Sequence, residues 1–243
     1  LVIGDVIGVV TAAGTLSWSG SAVGMKPWLQ IKKDRMLGSF VRYRKFAIFS
    51  GPAGIFSQAA MYLPFIFLGY FFGSVTVGYF FLAQRVLGLP LAVISQAISY
   101  VFYQRLSKEK MEKGTSYMLL VRAFVAFIIV GIIGAVVLFP LLPYLFSRIF
   151  GPDWSEAGHF GQLLIPMVVT CLAVSPISQT PLVYEKQEWG MYWQLCFMLG
   201  AVMTITIGGL LDSASTSLLA YSIFGALMYL LHFGISIRIA GGK

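Results

Sequence analysis

Between Val75 and Gln104 the chain runs for thirty residues, VTVGYFFLAQRVLGLPLAVISQAISYVFYQ, with one charge, Arg85. About twenty residues at 1.5 Å each already cross the hydrocarbon of a bilayer, so this run reads as a membrane span. A charged side chain inside a span costs roughly 2.5 kcal/mol or more, which normally turns it toward a protein interior or a wet cavity. With Arg85 as origin, steps of three or four residues place Gly88, Ala92, Gln96, Ser99 and Tyr103 on the same helical face. The other side carries Phe80, Val86, Leu87, Val93 and Ile94. Pro90 removes a backbone hydrogen bond in mid-span and predicts a kink.

The rest of the chain obeys the same solvent. Of 243 residues, 58% are hydrophobic and 11% charged, with a mean hydropathy of +0.84, whereas soluble domains carry about 25% charged residues. Long unbroken apolar segments exclude a membrane β-barrel, whose strands alternate. The class is all-α integral membrane, with about seven transmembrane helices. They are predicted near Leu1–Val23, Phe46–Phe72, Val75–Gln104, Ser116–Phe139, His159–Val183 and Trp189–Leu211, with a last one closing near Ile239. Gly73 and Ser74 predict a tight turn into the arginine helix. Pro140 and Pro143 are expected to interrupt or end the fourth span, leaving Tyr144–Phe150 as an amphipathic tail, and Pro166, Pro176 and Pro181 to interrupt the fifth. The chain starts in mid-run without a methionine, which predicts that it begins inside a helix.

Charge settles the expected topology. The loops after spans one, three, five and seven hold seven, four, one and two Lys or Arg, fourteen in all, while the loops after spans two, four and six hold only Arg148. By the positive-inside rule the basic loops, including the linker at residues 25–45, face the cytoplasm, and so does the C-terminus. The net charge of +8 is therefore a topology device and an anionic-lipid contact, with no bearing on nucleic acid.

No metal-ligand spacing, nucleophile elbow or phosphate-binding glycine loop is present. Nothing calls for a catalytic residue, a metal or a cofactor. Cys171 and Cys196 lie inside spans and read as small buried hydrophobes.

Arg85 stands about ten residues, or ~15 Å of helix rise, from the outer end of its span, and three roles are open to it. It can meet an anionic substrate in a lumen, pair with a buried acid such as Asp5 or with helix-end carbonyls, or snorkel outward. Gln58, Gln96, Ser99, Ser175, Ser178, Gln179 and Gln194 are lumen candidates or interhelical hydrogen-bonding groups. His232 shares a face with Ser222, Gly225, Tyr229 and Ser236. It reads either as a lumen-lining proton-sensing group or as a histidine bonded to a neighbouring helix. Arg42, Arg44 and Lys45, with Tyr43, form an interfacial anchor or a capture site for phosphate head groups.

The run GYFFLAQRVLGLPLAVISQAISYVFYQRLS, preceded by RYRKFAIFSGPAGIFSQAAMYLPFIFL and followed by FGPDWSEAG, resembles the C-terminal half of bacterial polysaccharide flippases. These belong to the multidrug/oligosaccharidyl-lipid/polysaccharide exporter superfamily, and the resemblance covers about Arg42 to Glu188. It implies two six-helix bundles enclosing a cationic cavity. Residues 1–24 would be the last helix of an N-terminal bundle, 25–45 the basic cytoplasmic linker, and 46–243 the second bundle. It further implies alternating-access translocation of undecaprenyl-pyrophosphate-linked oligosaccharide, for O-antigen or exopolysaccharide, across the bacterial inner membrane. The partners would be that lipid-linked substrate, membrane lipids and the N-terminal bundle. Arg85 would contact pyrophosphate, and Asp5 and His232 would be groups for ion coupling or structure. A multidrug/cation antiporter of the same superfamily is an alternative, though it should carry lumen acids. A membrane-embedded polymerase or glycosyltransferase is another, though the predicted outer loops are short.

Overall fold

A computed structural model describes Thr11, Thr15 and residues 33–241. The chain divides into two compact units, residues 1–45 and 46–243, and the second is the subject below. In chain order the elements are α1 (Lys33–Lys113), α2 (Tyr117–Phe150), a 3-10 turn at Pro152–Trp154, and α3 (Ser155–Val174). A second 3-10 turn at Ser175–Ile177 follows, then α4 (Thr180–Val183), α5 (Gln187–Leu210) and α6 (Ala214–Ala240). No strand occurs among the described residues. Lipid offers the backbone no hydrogen-bond partner, so apolar segments of this length must satisfy themselves as helices. Five helical stretches are long and apolar enough to cross a membrane.

The first of them, Ile48–Glu112, is 65 residues long and is two spans. Gly73 alone leaves helical geometry, at φ 80° and ψ 177°, a region that residues with a Cβ essentially never enter. In a straight helix Phe65 and Phe80 would stand about 22 Å apart at 1.5 Å per residue. Their ring centroids are 5.0 Å apart, and a Cβ added at Gly69 would meet Val77 Cγ2 at 3.3 Å. The chain therefore doubles back at Gly73, and α1 is a hairpin with arms at residues 46–72 (α1a) and 74–113 (α1b). The tight turn expected at Gly73–Ser74 is present as a single-residue reversal. Helical geometry persists through Pro52, Pro64 and Pro90.

Two expectations about prolines are corrected. Pro140 and Pro143 do not end their span, because α2 runs unbroken for 34 residues to Phe150, absorbing the expected tail. Pro166 likewise lies inside a continuous α3. One proline forfeits one hydrogen bond, whereas unwinding in lipid would strand several, so the helix continues. Of the three prolines in the fifth span, a break occurs only around Pro176 and Pro181.

Close packing rests on glycine. Gly158 of α3 lies against the Leu142–Pro143 backbone of α2, Gly131 of α2 against Val169, and Gly208 of α5 against the Ser217 backbone of α6. Small residues let backbones approach, which is how helices associate where lipid removes the hydrophobic incentive. One core joins both arms of α1 to α3, α5 and α6 through Leu68, Phe80, Leu164, Ile205, Leu218 and Tyr221. A second gathers Leu106, Leu120, Val174, Ile177 and Ala240. Around this second core one end of the bundle is tied by polar contacts. Lys110 Nζ donates to the Val183 carbonyl at 2.8 Å and sits 4.8 Å from the centre of the Tyr184 ring. Thr115 Oγ1 donates to the Ala240 carbonyl at 2.8 Å, and Tyr184 OH bonds Ser116 Oγ at 3.2 Å. Within this unit the basic segment ending at Lys113, the Tyr184–Glu188 turn and the end of α6 lie together here, and the Gly73, Gly151 and Asp212 turns fall at the opposite ends of the helices.

Candidate functional site

The fifth span breaks because Pro176 and Pro181 each lack an N–H to continue the ladder. Local hydroxyls take up freed carbonyls. Ser178 Oγ donates to the Ser175 carbonyl and Thr180 Oγ1 to the Ile177 carbonyl, both at 2.7 Å. Irregular backbone at membrane depth is tolerated only where protein or a wet cavity surrounds it. Here both do.

Three cavities meet at Ser175, which lines each of them. One, of about 330 Å³, lies between the arms of α1 and the helices α3, α5 and α6, bordered by Ser57, Gln84, Gly88, Ser95, Trp193 and Tyr221. A second, of about 620 Å³, is bordered by Ser95, Gln96, Ser99, Tyr103, Ser178 and Gln179. The third, of about 300 Å³, is bordered by Ser178, Gln179, Gly190, Trp193, Gln194 and His232. Adjoining at Ser175, they make up a chamber whose walls are largely apolar, with Met61, Leu87, Leu164 and Met167 among them, and have hydroxyls, amides and aromatic rings set between. Among the described residues no Lys, Arg, Asp or Glu lines it.

The walls are fixed by packing. Trp193 Nε1 donates to the Met228 carbonyl at 2.7 Å, and its ring stacks on Phe197 with centroids 5.2 Å apart at 29°. The His232 ring meets Trp193 edge-on, at 5.0 Å and 72°. Ser222 Oγ accepts the Met167 N–H at 3.2 Å, tying α6 to α3 just after Pro166. Four buried side-chain polar atoms among the described residues have no partner: Ser95 Oγ, Glu188 Oε2, His232 Nε2 and Ser236 Oγ. Two of them belong to chamber residues, Ser95 where the first two cavities join and His232 in the third.

The predicted residues divide. Gln96, Ser99, Ser175, Ser178, Gln179, Gln194 and His232 all line the chamber. Arg85 does not. It is exposed, whereas the other residues of its predicted face, Gly88, Ala92, Gln96, Ser99 and Tyr103, all line the cavities, and its neighbour Gln84 lines the first. Gln58 is also outside, exposed against a shallow apolar depression with Gly51, Gly54, Ile55 and Tyr62. Asp5 lies outside the described residues, as do the side chains of Arg42, Arg44 and Lys45, whose backbone is helical. Gln84, Ser95 and Trp193 went unnoticed in the sequence, although Gln84 and Ser95 stand at helical steps of four and three from Gly88 and Ala92 of the predicted face. Cys171 and Cys196 are free thiols, and no cluster of metal-ligating side chains occurs among the described residues.

No curated protein and no solved structure shows a significant match to the chain. A family model described as "Polysaccharide biosynthesis protein" matches residues 4–159, well over half of the sequence, taking in the α1 hairpin, α2 and the start of α3. A multi-pass helical membrane protein with a neutral, hydroxyl- and aromatic-lined chamber at a broken span thus belongs to the polysaccharide biosynthesis protein family.

Proposed function

We propose that the protein is a flippase that carries undecaprenyl-pyrophosphate-linked oligosaccharide across the bacterial cytoplasmic membrane by alternating access. The observation that carries this reading is the uncharged chamber inside a membrane bundle, in which hydroxyl and amide groups are set between apolar and aromatic side chains. Sugars are neutral, rich in hydroxyl donors and acceptors, and apolar on their C–H faces. Ser, Gln and Tyr groups replace their hydration, and aromatic rings cover the C–H faces. The pyrophosphate has different needs, because burying its charge among neutral groups would be far more costly. Arg85, exposed on the face adjoining the chamber, offers a fork that suits phosphate oxygens. In this scheme the glycan occupies the chamber while the anion rides on the arginine beside it. By the positive-inside rule, the basic residues of the Arg105–Lys113 and Tyr184–Glu188 segments support a cytoplasmic location for that bundle end and the C-terminus.

The chamber's composition disfavours the cation-antiporter reading, since a lipophilic cation would seek acids there. The turns at Gly73, Pro152–Trp154 and residues 211–213 are short for a polymerase site. The deciding experiment is complementation. Cells lacking their polysaccharide flippase receive the native protein or its Arg85→Ala variant at equal membrane abundance, and surface glycan is followed. Restoration by the native protein and failure of the variant are expected. Restoration by both removes the arginine from the path, and drug efflux without glycan export would refute the reading.

A further inference from the structure

As Ser95 Oγ does where the first two cavities join, His232 Nε2 brings an unpartnered buried polar atom to the third, and here the atom belongs to an imidazole. His232 is only 6% exposed, its Nε2 has no partner, and it borders a space of about 300 Å³. Buried polar atoms are rarely left unpaired, so a histidine held this way against a polar space points to a ligand. The cavity's shape and chemistry say which kind. Its volume is at the small end of the ~300–1,000 Å³ usual for ligand sites, a size for one ring and not for a chain. Trp193, locked by its bond to Met228, walls one side, and Ser178, Gln179 and Gln194 stand around it. Imidazole, amides and hydroxyls can donate and accept alike, which matches a ring of hydroxyls. With no charged residue lining the cavity, a carboxylate or phosphate would be desolvated without a counter-charge.

We infer that the cavity bordered by Ser178, Gln179, Gly190, Trp193, Gln194 and His232 is a subsite for one uncharged sugar residue of the transported glycan. The inference rests on the flippase reading for its substrate but makes a separate claim about recognition. The subsite selects for neutral sugars at one position of the repeat unit, by hydrogen bonds from Gln194 and His232 and by the Trp193 wall.

Gly190 provides the test. A Cβ added there meets nothing within 4 Å, so a methyl group is accommodated, and a leucine adds bulk at the border of the cavity. Saturation-transfer NMR on the purified native protein would use the methyl glycosides of glucose, galactose and N-acetylglucosamine, with methyl glucuronide as the acidic comparison. Transfer to at least one neutral glycoside and none to the glucuronide is expected. Gly190→Leu should abolish the transfer and Gly190→Ala should keep it. Gln194→Leu should weaken binding roughly 5- to 100-fold, the effect of leaving one polar contact unpaired. No transfer to any neutral glycoside, equal transfer to the glucuronide, or transfer unchanged in Gly190→Leu overturns the subsite.

Export of native glycan, measured in parallel at equal membrane abundance, separates the two claims. If the native protein restores export and both Gly190→Leu and Gln194→Leu export at the same rate, the subsite falls and the flippase stands. If glycoside binding follows the variants but no export is restored, the subsite stands and the flippase falls.

Discussion

Gly158 offers a quantitative check on how the bundle is held together. It lies in the first turn of α3, where a methyl group would meet the Leu142 carbonyl oxygen and the Pro143 nitrogen at 2.8 Å, besides the Pro143 Cα. Ordinary contact begins at 3.4 Å, about 0.6 Å farther out. These neighbours are backbone atoms of a packed helix, so no rotamer change relieves the clash and α2 and α3 must separate. Overpacking of this kind costs about 1–3 kcal/mol, and contact with three backbone atoms places Gly158→Ala at the upper end. Replacing glycine in a helix returns at most about 1 kcal/mol, leaving a net loss of roughly 2 kcal/mol. At about 2–4 °C per kcal/mol for a chain of this size, the melting temperature should fall by about 4–8 °C. Gly134→Ala is the internal control, since the same methyl group on α2 meets nothing within 4 Å and should leave the temperature level or slightly raised. Fluorescence-detected size exclusion after heating, on both variants in one detergent, reads the difference. Equal melting temperatures for the two would refute the claim that backbone approach at Gly158 organises the α2–α3 contact.

Gly73→Ala places a Cβ at φ 80° and ψ 177°, costing about 1–3 kcal/mol, and should melt several degrees lower in the same assay, whereas Gly78→Ala, where a Cβ meets nothing within 4 Å, should not. Lys110→Met removes the 2.8 Å bond to Val183 and the contact with Tyr184. A charged hydrogen bond is worth about 1.5–3 kcal/mol, so proteolysis near residues 183–187 should quicken, and an unchanged rate would show that the tie is ornamental. Arg85→Gln should reduce glycan export while leaving the melting temperature unchanged, because the side chain is exposed. A drop in stability would instead indicate a structural partner.

The helical class and the spans from residue 46 onward were legible because lipid imposes them, while the expected first span lies outside the described residues. Any run of some twenty apolar residues must close its own hydrogen bonds, and composition alone reports such runs. The glycine reversal was legible too, for a turn between two spans leaves little choice of residue. The prolines were not: Pro140, Pro143 and Pro166 are kept inside helices while Pro176 and Pro181 accompany a break. The difference lies in what surrounds each, since the break borders a polar chamber and hydroxyls of Ser178 and Thr180 stand ready for the carbonyls. The chamber itself was half visible. The helical face drawn from Arg85 holds Gly88, Ala92, Gln96, Ser99 and Tyr103, which do border the chamber, but it omits Gln84 and Ser95 on the flank and takes as origin an arginine that stands outside. His232 and Gln194 were found as isolated polar residues in spans, but only the antiparallel pairing of α5 with α6 sets them around one space.

The reversal at Gly73 also bears on how the protein enters its membrane. With no hydrophilic loop between them, α1a and α1b give the insertion machinery no segment to pass across separately, so the two arms must partition into lipid as a pair. This matters for the arm that carries Arg85. At mid-span an arginine raises the cost of insertion by about 2.5–3.5 kcal/mol, and α1a, apolar and already turned against it through Phe65 and Phe80, travels with it. The residue proposed to hold the cargo's charge thus reaches the bilayer escorted by its own neighbour, and biogenesis of this hairpin precedes anything the chamber can do.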